Sequence, residues 1–174
     1  MSDRREFLKF LTGSPLLLAY PSLLEAFTQA PTAQAAAATL ASAADALDVY
    51  DFEAMGAWMC PGGIVSTVVE LDARVGGALR IVMHGAGEVF DHWGEFTLIE
   101  PPSKLAFTWH AKATDYRPTL VTVELFDAGD HECDLVLTHT GLPRPTITDQ
   151  YRGGWHTIVG RLAQHLAQHH ANPR

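Results

Sequence analysis

The sequence predicts an α+β domain in which one long C-terminal helix lies on an antiparallel sheet of about six strands. Two observations carry that expectation. Within residues 148–169, Tyr151, Trp155, Ile158, Leu162 and Leu166 recur at intervals of four, three, four and four, which at about 100° per residue places them in one narrow stripe. Ahead of this stripe, between Ile64 and Thr140, stand six short alternating segments joined by connections too short for crossovers, so a meander is favoured. An amphipathic helix needs an apolar surface to lie on, and one helix closing over one face of such a sheet is the economical arrangement.

The 174 residues suffice for one domain and an appendage, and 47% hydrophobic with 18% charged content is that of a globular chain. Net charge is −8. Residues 1 to 35 carry Arg4, Arg5 and Lys9 against Asp3, Glu6 and Glu25, so all the excess negative charge lies beyond them, which argues against nucleic acid as a partner.

The first segment, 1–35, resembles a twin-arginine export signal: Arg4-Arg5 with Phe7-Leu8-Lys9, then an apolar stretch from Phe10 to Leu24 interrupted by Gly13, Ser14, Pro15 and Pro21. Those interruptions leave no stable membrane span. Ala33-Gln34-Ala35 offers the small-x-small pattern of a cleavage site, and residues 36–44 read as an alanine-rich linker. A working leader makes the protein periplasmic or exported; otherwise it is cytoplasmic.

The domain proper is expected over 45–170. Ala46, Leu47, Val49, Tyr50, Phe52, Met55 and Trp58 fit a short helix between Ala44 and Met59, with Asp45 as a cap, ended by Cys60-Pro61-Gly62-Gly63. Strands are expected at about Ile64–Asp72, Ala78–His84, Trp93–Glu100, Lys104–Ala111, Thr119–Asp127 and Glu132–Thr140. Turn signals separate them: Gly76-Gly77, Gly85-Ala86-Gly87, Pro101-Pro102-Ser103, Asp115 to Pro118, and Asp127 to Asp130. Alternation places Leu105, Phe107 and Trp109, then Val121, Val123 and Leu125, then Leu135, Leu137 and His139 on faces toward the helix. Thr122, Glu124, Asp134 and Thr138 face away. Thr140 to Pro145 precedes the helix and Asn172-Pro173 follows it.

His139 is the one polar group of the inward set; it is either a structural histidine bonded to a carbonyl or water, or a polar contact for a ligand. The nine histidines include no helical His-Glu-x-x-His pair and no convergent set, so no metal site is read. Nor is a cofactor: Gly76-Gly77 is a turn without a following helix, and no serine or cysteine stands in a nucleophile elbow. Cys60 and Cys133 read as two free thiols.

Several ordered blocks carry a family resemblance: Trp58-Met59-Cys60-Pro61-Gly62, Asp72 to Gly77, Gly94-Glu95-Phe96, Pro101 to Trp109, Val121 to Leu125, Leu137 to Leu142, and Gly154-Trp155. From Trp58 to about Gln168 the chain resembles the SRPBCC or START-like superfamily, and within it the domain family named for the activator of the Hsp90 ATPase. The resemblance implies a helix-grip fold, a curved antiparallel sheet wrapped around the long C-terminal helix with a hydrophobic cavity between them, and hence an apolar small molecule as ligand. Cavity candidates are Met83, Trp93, Phe107, Trp109, Val123, Leu137, His139 and Trp155. A cofactor-free enzyme using His139, Glu88 or Asp91 as base is one alternative, and a chaperone-binding or protein-binding module another; no catalytic residue is assigned.

Domains of this kind begin with a strand, and none is expected before Asp45, so the first strand reads as missing. Its absence would leave Glu132–Thr140 as an open edge inviting self-association. The leader from Arg4 to Tyr20 and the segment Asp45–Glu53 are similar to the start of flavin-dependent 2-hydroxy-acid dehydrogenases, whose catalytic region does not follow. A fusion of such a leader with a truncated, non-functional domain is therefore a further reading.

Overall fold

The computed structural model describes residues 34–40, 50, 52–129 and 132–171. Its elements are β1 (Gln34–Leu40), α1 (Met55–Trp58), β2 (Ile64–Leu71), β3 (Ala78–Gly85), β4 (Val89–Glu100), β5 (Lys104–Trp109), β6 (Thr119–Gly129), β7 (Glu132–Thr140) and α2 (Pro145–Ala171), with a single 3-10 turn at Lys112–Thr114. The sheet is antiparallel and its strand order is β1-β7-β6-β5-β4-β3-β2. This is the helix-grip arrangement, and the six strands anticipated from Ile64 onward are all present.

The expectation of a missing first strand is corrected. β1 pairs with β7 from Gln34 opposite His139 to Leu40 opposite Cys133. Alanine is a poor strand former, but β7 offers a complete row of backbone donors and acceptors, and pairing with an existing edge depends on context more than on propensity. Three consequences follow. Residues 36–40 of the supposed linker belong to the sheet, the domain starts before residue 45, and the outer edge of β7 is covered by β1 rather than open for self-association. The cleavage point read after Ala35 falls inside β1; the rest of the leader, and the dehydrogenase-like stretch apart from Tyr50, Phe52 and Glu53, lie outside the described residues.

The helix expected between Ala44 and Met59 is, within the described residues, only the single turn Met55–Trp58, entered through turns at Tyr50 and 52–54. Side-chain anchoring explains that course. Tyr50 Oη donates to the Lys104 carbonyl at 2.9 Å, and the Phe52 ring lies 5.5 Å from that of Phe96, so aromatic contacts tie the segment to the sheet. β4 begins at Val89, four residues earlier than read, and α2 begins at Pro145, where a proline has no helical hydrogen bond to lose.

The inward faces are as read. Leu105, Phe107, Trp109, Val121, Val123, Leu125, Leu135, Leu137 and His139 are buried, and so are Trp155, Ile158, Leu162 and Leu166 on α2. Burying each large apolar side chain contributes about 1.5–3 kcal/mol relative to leaving it exposed, so this interface is the main support of the domain. Among the described residues no helix is long and apolar enough to cross a membrane.

Candidate ligand site under the C-terminal helix

Between sheet and α2 lies a cavity of about 30 Å³. Met55, Trp58 and Met59 close one end, Leu79, Ile81, Phe96, Leu105, Phe107, Val123, Leu135 and Leu137 form the sheet wall, and Trp155, Ile158, Val159 and Leu162 form the helix wall. Space of this size admits a methyl group, whereas sites for small molecules typically enclose roughly 300–1,000 Å³. With side chains as they stand, the grip is nearly closed.

Of the eight cavity candidates, Phe107, Val123, Leu137 and Trp155 line this space. Met83, Trp109 and His139 are buried beside it without lining it. Trp93 is a correction: it is 39% exposed and stacks on His110 and Tyr116 on the outer side of the sheet. Parity along β4 decides this, because Phe96 points inward and Trp93 is three residues away. The close approach at Gly94 holds that course, since a Cβ there would collide with the Thr108 carbonyl.

Beside the cavity runs a buried polar chain. The Trp155 indole Nε1–H donates to His139 Nδ1 at 3.0 Å, His139 Nε2 meets Thr119 Oγ1 at 2.8 Å, and Thr119 Oγ1 donates to the Trp109 carbonyl at 2.8 Å. An indole nitrogen only donates and a carbonyl only accepts, so the proton positions follow. His139 Nδ1 bears a lone pair, and Nε2–H donates to the threonine. Burial holds the His139 pKa down to about 3, and protonating Nδ1 would set one N–H against another. His139 therefore has the structural role, with both nitrogens engaged, and is no base for catalysis. The other proposed bases are also outside the site: Asp91 is paired with the exposed Arg80 at 3.0 Å, a hydrogen bond that lowers its pKa, and Glu88 is exposed on the β3–β4 turn.

Around Trp109 the polar contacts continue. Its Nε1–H donates to Tyr151 Oη at 3.2 Å, the His92 ring stacks on it at 4.6 Å, and Tyr151 packs edge-on against His139 at 4.8 Å. Burial raises the Tyr151 pKa and lowers that of His92. No cluster of histidine, cysteine and carboxylate able to hold a metal occurs among the described residues, and Cys60 and Cys133 are buried and not joined in a disulfide.

The family model described as Activator of Hsp90 ATPase homolog 1-like protein matches residues 49–167. The chain belongs to that family. No curated protein matches it. Among solved structures, a protein of Chromobacterium violaceum is similar with a TM-score of 0.67 and 20% identity, covering 78% of this chain and 97% of its own. A protein of Nitrosomonas europaea gives 0.65 and 20%, covering 81% and 97%. An Hsp90 activator from Plasmodium falciparum gives 0.61 and 19%, covering 79% and 97%. At these identities the likeness is one of fold, and it agrees with the helix-grip topology found for this family member.

Sequence reasoning missed Thr119, Met55 and Met59. Thr119 reaches His139 only because β6 sits between β5 and β7, a register that no local pattern displays. The methionines stood in a stretch read as helix, with no sign that its end would close the grip.

Proposed function

We propose that this domain binds a small apolar ligand between its sheet and α2, taken in by displacement of Met55 and Met59. The observation that carries the reading is the cavity itself, whose lining residues are all apolar and which is closed at one end by two methionines. Methionine side chains are unbranched and repack at low cost, so a wall containing two of them widens more readily than one of branched residues. The α1 turn that bears Met55 is one helical turn long and has no side-chain cap on its first residue, which makes it the weakest wall of the grip. The similarity to an Hsp90 activator is one of fold and does not by itself bring a chaperone partner to this chain.

Native mass spectrometry of protein purified from cells should reveal a co-purified apolar compound, and an apolar fluorophore should bind with micromolar or better affinity. Val159→Phe, which fills the space from the helix side, should abolish probe binding while the far-ultraviolet circular dichroism is retained. Undiminished binding by that folded variant would place the probe elsewhere and end the reading. The Arg4-Arg5 leader supports an exported protein: residues 1–40 fused to a folded reporter should carry it to the periplasm, and Arg4→Lys with Arg5→Lys should stop export.

A further inference from the structure

Met55, Trp58 and Met59, which close one end of the cavity, sit on α1 or directly after it, and one residue of β2 touches this turn at two points. The Thr67 hydroxyl donates to the Met59 carbonyl at 2.8 Å. The Thr67 carbonyl faces Gly56 so closely that a Cβ there would stand 3.3 Å from its oxygen. Both contacts fall on backbone atoms, so the methionine side chains can repack while the turn stays seated. The chain is held differently on the two sides of α1. Before it, the Phe52 ring rests 5.5 Å from that of Phe96, and the Tyr50 hydroxyl donates to the Lys104 carbonyl at 2.9 Å. After it comes the turn 61–64, closed by the Ile64 N–H on the Pro61 carbonyl at 3.1 Å, in which Gly63 has φ +86°. Apart from chain neighbours, no atom lies within 4 Å of where a side chain would begin at Gly62 or Gly63, so this turn swings without disturbing packing.

We infer that residues 53–60 form a flap over the methionine end of the cavity, pivoting on the turn 61–64 and held shut by Thr67, and that its opening sets the rate at which an apolar ligand enters and leaves. This rests on the ligand-binding reading above and adds the control of the same site. Opening uncovers Trp58 and both methionines, which are buried when the flap is shut, so the open state is sparsely populated and entry is slow. Thr67 is a positioning residue: it stands outside the lining of the cavity and acts on the backbone that carries the end wall. It holds the flap alike over an empty and an occupied cavity. Weakening it therefore speeds entry and exit by one factor and leaves the affinity unchanged, because it does not discriminate between the two states.

The experiment follows the uncharged fluorophore N-phenyl-1-naphthylamine by stopped-flow fluorescence in the full chain. With rising probe concentration the observed association rate should level off, at the opening rate of the flap. Thr67→Val, which keeps the shape and removes the donor, should raise that ceiling and the dissociation rate together by about three- to tenfold, the loss expected of one hydrogen bond, with Kd unchanged. Gly56→Val, which sets a branched side chain against the Thr67 oxygen, should do the same. Thr67→Ser keeps the hydroxyl and should keep both rates near those of the unaltered protein. An association rate that climbs linearly with probe in the unaltered protein, or rates that stay unchanged in folded Thr67→Val, would overturn the flap while leaving the apolar site intact. Absence of probe binding, or binding that Val159→Phe leaves undiminished, would end the ligand reading and the flap with it. The ceiling is read in the unaltered protein and decides the matter even if a variant does not fold.

Discussion

Around Val159 and Phe96 the space beneath α2 is enclosed by apolar side chains, whereas a few residues away His139 has a directional partner on each ring nitrogen. The two regions resist deformation differently. Dispersion contacts are many and individually small, so the apolar end can trade one packing for another near the same energy. The polar chain from Trp155 through His139 and Thr119 to the Trp109 carbonyl has one proton arrangement, and any displacement leaves a buried donor or acceptor unmet. Rigidity at one end and adaptability at the other are what the proposed ligand site requires of this grip.

The contrast breaks most completely at the histidine. His139→Leu should cost about 2–4 kcal/mol in urea unfolding, since it strands the Trp155 indole N–H in an apolar surrounding and removes the N–H that the Thr119 oxygen accepts. His139→Gln should cost less, because a carboxamide accepts from the indole and donates to the threonine.

Proton linkage sharpens it next. The folded-state pKa of His139 is about 3 against an ordinary 6.5, so below pH 6.5 the unfolded chain binds a proton that the folded protein refuses. Stability from this group is complete above pH 6.5 and is lost as the pH falls toward 3, at about 1.4 kcal/mol per pH unit. Burial lowers the His92 pKa as well and adds a loss of the same sign. Unfolding measured between pH 5 and 6.5 should show the slope in the unaltered protein and a smaller one in His139→Gln. Identical slopes would mean that His139 is solvated in the folded state.

The smallest effect belongs to the adaptable end. Val159→Ile adds one methylene to a space of about 30 Å³ and should raise stability by about 0.5–1 kcal/mol in thermal unfolding. A loss of stability instead would show that the helix wall cannot use the space.

The reading of α2 came directly from periodicity: Trp155, Ile158, Leu162 and Leu166 are buried as their spacing requires, because a helix stripe is a local property of the chain. The same holds for β5, β6 and β7, whose period-two alternation fixed which residues look inward. Gln34–Leu40 was illegible for the opposite reason, since its strand state is conferred by the edge of β7 and not by its alanines. Trp93 was misplaced because an aromatic residue announces burial in its type, while the side it takes depends on the parity of β4 relative to Phe96. The sequence by itself thus determined the helix stripe, the strands and their inward faces, which rest on interactions between residues close along the chain. Only the tertiary structure decided the partner of β7, the near closure of the cavity and the proton positions at His139, because each depends on atoms that meet solely through the register of strands distant in sequence.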